Sequence, residues 1–473
     1  MREAGKAFSD RIREMEALLR VRESFDVMAR RLAAAGREAA LFFVDGFAKD
    51  EVMEKILEYI MSLPPDAAGA MASGEAFAGR FIPYVEVGQE TDPRAVAGQV
   101  LAGQLALLLD GLDQYILIDA RTYPARGVEE PDSDRVLRGS HDGFVETLVF
   151  NTALIRRRIR SPQLTMEIHQ VGAVSGTDVV LCYMADRVDQ KLLDRLRRKL
   201  QGITVPTLAM AQESLAECLV RRQWFNPFPK TRYTERPDCA AASVAEGRIV
   251  LLVDNSAAAM ILPTSLFDFV QDTNDYYFPP LIGTYLRFVR TLVSAFALFL
   301  TPVWYLLVRN PDTIPQWLAF IQVKEPNTVP LLLQLLIIEL IIDGIKLASL
   351  NTPNVLNNAF GLIGALILGE FAVGAGLFVP EVLLYMAFVA IANFTQPSYE
   401  LGYALKLFRM LLLVLIALFN WWGFAAGVLL MAVTVATTRT VAGSGYLYPL
   451  IPFNGKALRR LLVRQRISED NTR

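Results

Sequence analysis

Residues that build metal centres, disulfide frames and nucleophilic active sites are scarce in this 473-residue chain. The three cysteines, Cys182, Cys218 and Cys239, are odd in number and widely spaced, which excludes a disulfide framework and fits reduced thiols in a cytoplasmic compartment. Neither of the two histidines, His141 and His169, lies at ligand spacing from cysteines or carboxylates, so no transition-metal site is expected. No GxGxxG or Walker-type GxxxxGK joins a strand to a helix, and no GxSxG elbow occurs, so neither a phosphate cradle nor a catalytic serine can be read. No enzymatic activity and no cofactor are expected. A net charge of -2 gives no reason for nucleic-acid binding, and the basic runs 156–160 and 195–199 alternate with acids or apolar positions as solvated helix faces do. The first thirty or so residues are charged throughout and contain no apolar h-region, so no secretory signal is read and the polar part is expected in the cytoplasm.

Apolar residues, in contrast, make up 53% of the chain and crowd between 288 and 441, while charge collects before 290 and after 455. Runs such as VSAFALFLTPVWYLLV (293–308) and the uncharged stretch 410–438 are long enough to enter a bilayer. About six membrane helices are predicted, near 288–308, 329–349, 359–379, 381–396, 405–420 and 422–441. Asn420, Trp421, Trp422 and Gly423 combine a polar residue, two interfacial aromatics and a glycine, the makings of a tight hairpin at the headgroups. Arg287 and Arg290, Lys346, Lys406 and Arg409, and the basic residues from Lys456 onward all fall on the cytoplasmic side if the count is even, with both termini inside.

Charge within such runs is costly and calls for a function or a partner. Glu339, Asp343 and Lys346 recur at four and three, so on a helix they share one face and can pair with one another, or Lys346 can snorkel. Glu370 lies among Gly364, Gly369, Gly374 and Gly376, which permit close helix approach. Glu339, Asp343 and Glu370 are the candidates for an ion path, Glu339 being deepest and expected to matter more for ion passage than for stability. Asn351, Asn354, Asn357 and Asn358 around Pro353 read as a loop.

The fold class expected is a cytoplasmic α/β region of two subdomains followed by a polytopic α-helical membrane domain. The divisions are an amphipathic helix over 1–40, with Phe8, Ile12, Met15 and Leu19 at helical spacing, a first α/β subdomain over 41–125 and a connecting segment over 126–160. A second α/β subdomain over 161–280, the membrane domain over 281–445 and a basic tail over 446–473 complete the chain. In the first subdomain, LFFVDG (41–46) and YILIDA (115–120) read as strands and 96–109 as helix.

Several long motifs then occur in one order: RGVEEPDSDRVLRG (126–139), GFVETLVFNTALIRRRIR (143–160), NPFPKTRYTERPDCAAASVAEGRIVLLVDNS (226–256), DYYFPP (275–280) and GLIGALILGEFAVGAGLFVP (361–380). In these the chain resembles the GerA family of spore germination A subunits, nearly throughout from residue 41. It departs where many members read Gly-Pro-Arg-Glu-Gly-Phe, having Gly139, Ser140, His141, Asp142, Gly143 and Phe144. The resemblance implies a multi-pass protein of the spore inner membrane that promotes germination by ion release. It also implies assembly into a homo-oligomeric ring in the bilayer, with other germination membrane subunits as partners. A secondary transporter, or a non-conducting scaffold recruiting those subunits, stands as the alternative.

Overall fold

The computed structural model describes residues 8–65, 73–121, 139–220, 225–272, 274–324, 329–351, 372–441, 443 and 445–463. One unit comprises Met1–Arg222 with Thr231–Thr264, the other Gln223–Lys230 with Ser265–Arg473.

The first unit lays down the same order of elements twice. Its first half runs α1 (Phe8–Leu19), β1 (Val27–Ala34), β2 (Arg37–Val44), α2 (Asp50–Ser62), α3 (Gly74–Phe81), β3 (Val87–Glu90), α4 (Pro93–Leu101), β4 (Leu105–Leu109) and β5 (Tyr115–Ile118). The second runs α5 (Leu148–Arg158), β6 (Leu164–Val171), β7 (Thr177–Met184), α6 (Gln190–Gln201), α7 (Ala211–Leu219), β8 (Arg232–Thr234), α8 (Pro237–Ala245), β9 (Ile249–Val253) and β10 (Ala259–Leu262). The five-stranded sheets have matching orders, β1-β2-β4-β5-β3 and β6-β7-β9-β10-β8. The central strands LALLL (β4) and IVLLV (β9) are buried along their whole length because helices cover both faces. Strand alternation divides the first sheet: Leu41, Leu105, Leu107 and Ile116 pack under α2 and α3 with Ile56, Ile60 and Phe77. Phe42, Ala106 and Leu108 face Ile12, Met15 and Val100 of α1 and α4 on the other side.

Two expectations need correction here. Helix α1 stops at Leu19, and residues within 1–40 form the hairpin β1–β2, closed by Ala35 and Gly36 at φ 49° and 78°. The alanine-rich arms favour helix locally, but pairing across the sheet outweighs that preference. A Cβ at Gly36 would lie 2.7 Å from the Pro65 backbone, so the turn needs glycine twice over. Similarly, 96–109 is not one helix: Gly103, at φ 104°, ends α4, and β4 follows. The halves are joined by Arg156 of α5, fully buried, whose Nε and Nη2 donate to Asp26 at 2.8 and 3.0 Å while Nη2 also reaches Ser24 Oγ at 3.0 Å. The linker motif 126–139 lies outside the described residues apart from Gly139.

In the second unit, α9 (Asn274–Tyr277) precedes α10 (Pro280–Arg309), α11 (Leu331–Asn351), α12 (Pro380–Phe394) and α13 (Tyr399–Thr437), and α14 (Gly455–Leu462) closes it. Among the described residues, α10 and α13 are long and apolar enough to cross a membrane, and α12 is shorter. Most of the expected segment 359–379, with Glu370, and the asparagines beyond Asn351 lie outside the described residues. Helix α13 breaks at Asn420 (φ 55°, ψ -128°), where the chain doubles back. A Cβ at Gly423 would sit 1.9 Å from the Leu415 carbonyl oxygen, and one at Gly427 would sit 2.5 Å from Leu412 Cδ2, so the two arms lie against each other through glycine. Arg309 donates to the carbonyls of Ile416 and Ala417 at 2.8 and 2.6 Å, and the Asn310 and Asn420 side-chain amides exchange bonds of 2.7 and 2.8 Å.

Candidate functional site

Glu339 sits in the third turn of α11 and Asp343 one turn on, so both carboxylates project from one face. Lys406 and Arg409, three apart on the first arm of α13, meet them. The Arg409 guanidinium is wholly buried and donates through Nε to Glu339 Oε1 at 2.6 Å and through Nη1 to the Ala297 carbonyl of α10 at 2.6 Å. Lys406 Nζ lies 3.3 Å from Glu339 Oε2 and 3.1 Å from the Glu339 carbonyl oxygen, and it also pairs with Asp343 Oδ2. Two carboxylates thus face two cations, and burial at this depth requires that balance.

The members of the cluster differ in freedom. Glu339 is 1% exposed and held from both sides. The Asp343 side chain is 29% exposed, and its Oδ1 has no hydrogen-bond partner among the described residues. That oxygen is itself buried, so the exposed part of Asp343 is the rest of its side chain.

The partners expected from spacing need correction. Among the described residues Lys346 makes no salt bridge within α11; its Nζ lies over the rings of Phe394 and Tyr403, 5.1 and 5.7 Å from their centroids. Lys406 and Arg409, expected on the cytoplasmic side of a span, are buried and paired with Glu339. Their partner lies 67 and 70 residues back, beyond the reach of any local pattern. The available signal was the imbalance itself, since acids within one apolar run demand bases within another.

A second ionic knot closes the start of α10. Asp275 is fully buried between Arg290, whose Nη1 donates at 2.9 Å, and Arg287 at 3.5 Å. In the first unit, the segment Ser140–Asp142 is fastened by Arg158, which donates to both Asp142 oxygens at 2.7 and 2.6 Å. Burial pushes the Asp142 carboxyl up, but the bonds from Arg158 and Ser140 outweigh it and hold the group below its ordinary range. On the second sheet, burial likewise raises the Glu167 carboxyl, yet His169 and bidentate Arg197 bring it down to about 2.

Fold and cluster together define the class: a twice-built α/β unit joined to a helical unit of bilayer-spanning length that keeps ionisable side chains inside. Within that class the chain belongs to the Bacillus/Clostridium GerA spore germination protein family, whose model matches residues 14–473. It is similar to stage V sporulation protein AF of Bacillus subtilis (strain 168), 38% identical over 447 residues that cover 93% of this chain and 89% of that protein. It is also similar to spore germination protein GerLA of Bacillus cereus, 29% identical over 433 residues, covering 90% and 87%. Among solved structures, the N-terminal domain of the A subunit of the Bacillus megaterium spore germinant receptor GerK3 aligns at 19% identity and a TM-score of 0.39, covering 55% of this chain and 96% of that one.

Proposed function

We propose that this protein is a non-enzymatic subunit of an oligomeric channel or receptor complex of the spore inner membrane that promotes germination by releasing ions. On this reading it crosses the bilayer about six times with both termini cytoplasmic, forms a homo-oligomeric ring, and works with other germination membrane subunits. The observation that carries the reading is the buried Glu339–Asp343–Lys406–Arg409 cluster inside the helical unit of a spore germination family member. An ion-pair network of this kind inside a bilayer marks a path or a switch more often than a stabilising device. Asp343 is the residue proposed to face the path, and Glu339 the anchor that fixes Lys406 and Arg409 beside it; Glu370 keeps its proposed place on the same path. Repeated around a ring, Asp343 would set ion selectivity.

Purified protein in liposomes tests the reading. A channel gives cation flux without a coupled gradient, and it runs as an oligomer in detergent. Flux that requires a second ion gradient would favour the transporter alternative, to which the broken helix at Asn420 lends some support. An oligomer without flux would leave a scaffold, and a monomer would sink the shared path altogether.

A further inference from the structure

After α13 the chain packs Tyr446 into the helical unit, then surfaces. Leu450, Ile451 and Phe453 are exposed, Phe453 at 74%, and α14 follows, capped by Asn454, whose side chain accepts from Ala457 N at 3.1 Å. Spacing divides α14 into two faces: Leu458, Leu461 and Leu462 on one, Lys456 and Arg459 on the other. Leu462 is 52% exposed, and Lys456 and Arg459 are exposed as well.

The depth of α14 is fixed by a tether. Arg287 Nη1 donates to the Leu461 carbonyl at 3.1 Å, so α14 lies beside the first turns of α10. Those turns expose Leu281, Tyr285 and Phe288, about 10 Å of apolar helix surface. The Asp275–Arg287–Arg290 knot lies at the same level. Apolar surface beginning next to a charged knot is the signature of a headgroup boundary.

We propose that residues 450–463 lie in the plane of the membrane as an interfacial amphipathic segment that binds anionic phospholipid, Phe453 and Leu462 entering the acyl boundary and Lys456 and Arg459 meeting phosphate headgroups. A protein partner fits less well. The helix is about 12 Å long, far too short to supply the roughly 800 Å² per side of a stable interface, and its cations would fall at the rim where they add little. Cations beside an apolar stripe match the charge and layering of an anionic leaflet.

The inference rests on the helical unit being embedded in a bilayer, and the experiment separates the two. An environment-sensitive fluorophore is placed at Leu462→Cys in the full chain, with Cys218→Ser and Cys239→Ser removing the accessible thiols, and compared with one at Val433→Cys on the lipid-exposed face of α13. In phosphatidylcholine vesicles containing about a third phosphatidylglycerol, a quencher at shallow acyl depth should dim the Leu462 label about twofold, and the effect should fade in neutral vesicles. Combining K456E with R459E should abolish that lipid dependence while leaving quenching at Val433 by deep acyl quenchers intact. Equal quenching of the Leu462 label in neutral and anionic vesicles, or its access to aqueous iodide alone, overturns the proposal while embedding stands. A Val433 label untouched by deep quenchers removes the embedding itself, and the proposal with it.

Discussion

Arg409 and Lys406 hold the Glu339 carboxylate between them, while Asp343 Oδ1 has no hydrogen-bond partner among the described residues, and this difference separates the effects of the two acids. Glu339→Gln leaves two buried cations short of a counter-charge, which costs about 3–5 kcal/mol for a pair broken on one side. Membrane accumulation of this variant should fall severalfold, and adding Arg409→Gln should restore part of it; normal accumulation of the single variant would show the lock to be unimportant. Asp343→Asn keeps shape and a hydrogen-bonding amide, so its level and oligomer size should match the parent while conductance or cation selectivity changes. Unchanged flux in an intact oligomer would remove Asp343 from the path. In the α/β unit, Glu167 is held at about 2 against its ordinary 4.5, so its contribution to stability is complete above about pH 4.5 and disappears as the pH falls toward 2. The melting temperature of the full chain should therefore exceed that of Glu167→Gln at pH 6, and the gap should narrow by pH 3. A gap independent of pH would mean that the bidentate contact with Arg197 contributes through packing alone.

Elements were legible in the sequence where local chemistry decides them, as at α1, whose apolar residues recur at three and four, and at the α13 hairpin. Asn420 there takes a positive φ of 55° at which the helix ends, and Gly423 and Gly427 allow the arms to touch. The strands β1 and β2 were not legible, because alanine-rich arms read as helix and only pairing with the rest of the sheet makes them strands. For the same reason the duplication of the α/β unit emerges from strand order and not from any sequence period. Half of the charged cluster was visible as acids in an apolar run; the other half was read only as positive residues on the cytoplasmic side, since nothing local shows that Lys406 turns inward. The hairpin makes a sharp prediction. Gly423→Ala drives a methyl into the Leu415 carbonyl, where overpacking costs typically 1–3 kcal/mol and backbone cannot step aside, so folded yield should fall clearly. Gly344→Ala in α11 meets nothing within 4 Å and gains up to about 1 kcal/mol of helix propensity, so it should be neutral or stabilising. Equal behaviour of the two variants in a purification yield and melting comparison would mean that the arms do not pack as closely as Gly423 implies.

At the scale of the molecule, the division into units does not follow the chain simply, because Gln223–Lys230 leaves the α/β unit, belongs to the helical one, and the chain then returns to form β8. Phe228 explains the excursion: it is 4% exposed and stacks on Phe408 with centroids 5.4 Å apart, with Tyr446 at 6.3 Å, while Asn226 Nδ2 donates to Thr438 Oγ1 at 2.6 Å. The α/β unit nevertheless owns two complete sheets, each covered by helices, and the Arg156–Asp26 bridge between its halves. A fragment of residues 1–264 should accordingly fold alone with one cooperative thermal transition, as a compact body with its own core does. In that fragment Phe228 has lost its aromatic partners, so Phe228→Ser should leave the transition where it is and improve solubility. In the full chain the same change removes a buried ring from a filled site, at a cost of about 3–5 kcal/mol, and should lower the melting temperature and recovery of the helical unit. The pair of measurements is decisive in combination: a fragment without a cooperative transition denies the independence of the α/β unit, and a full chain indifferent to Phe228→Ser denies that the excursion is what ties residues 223–230 to the helices.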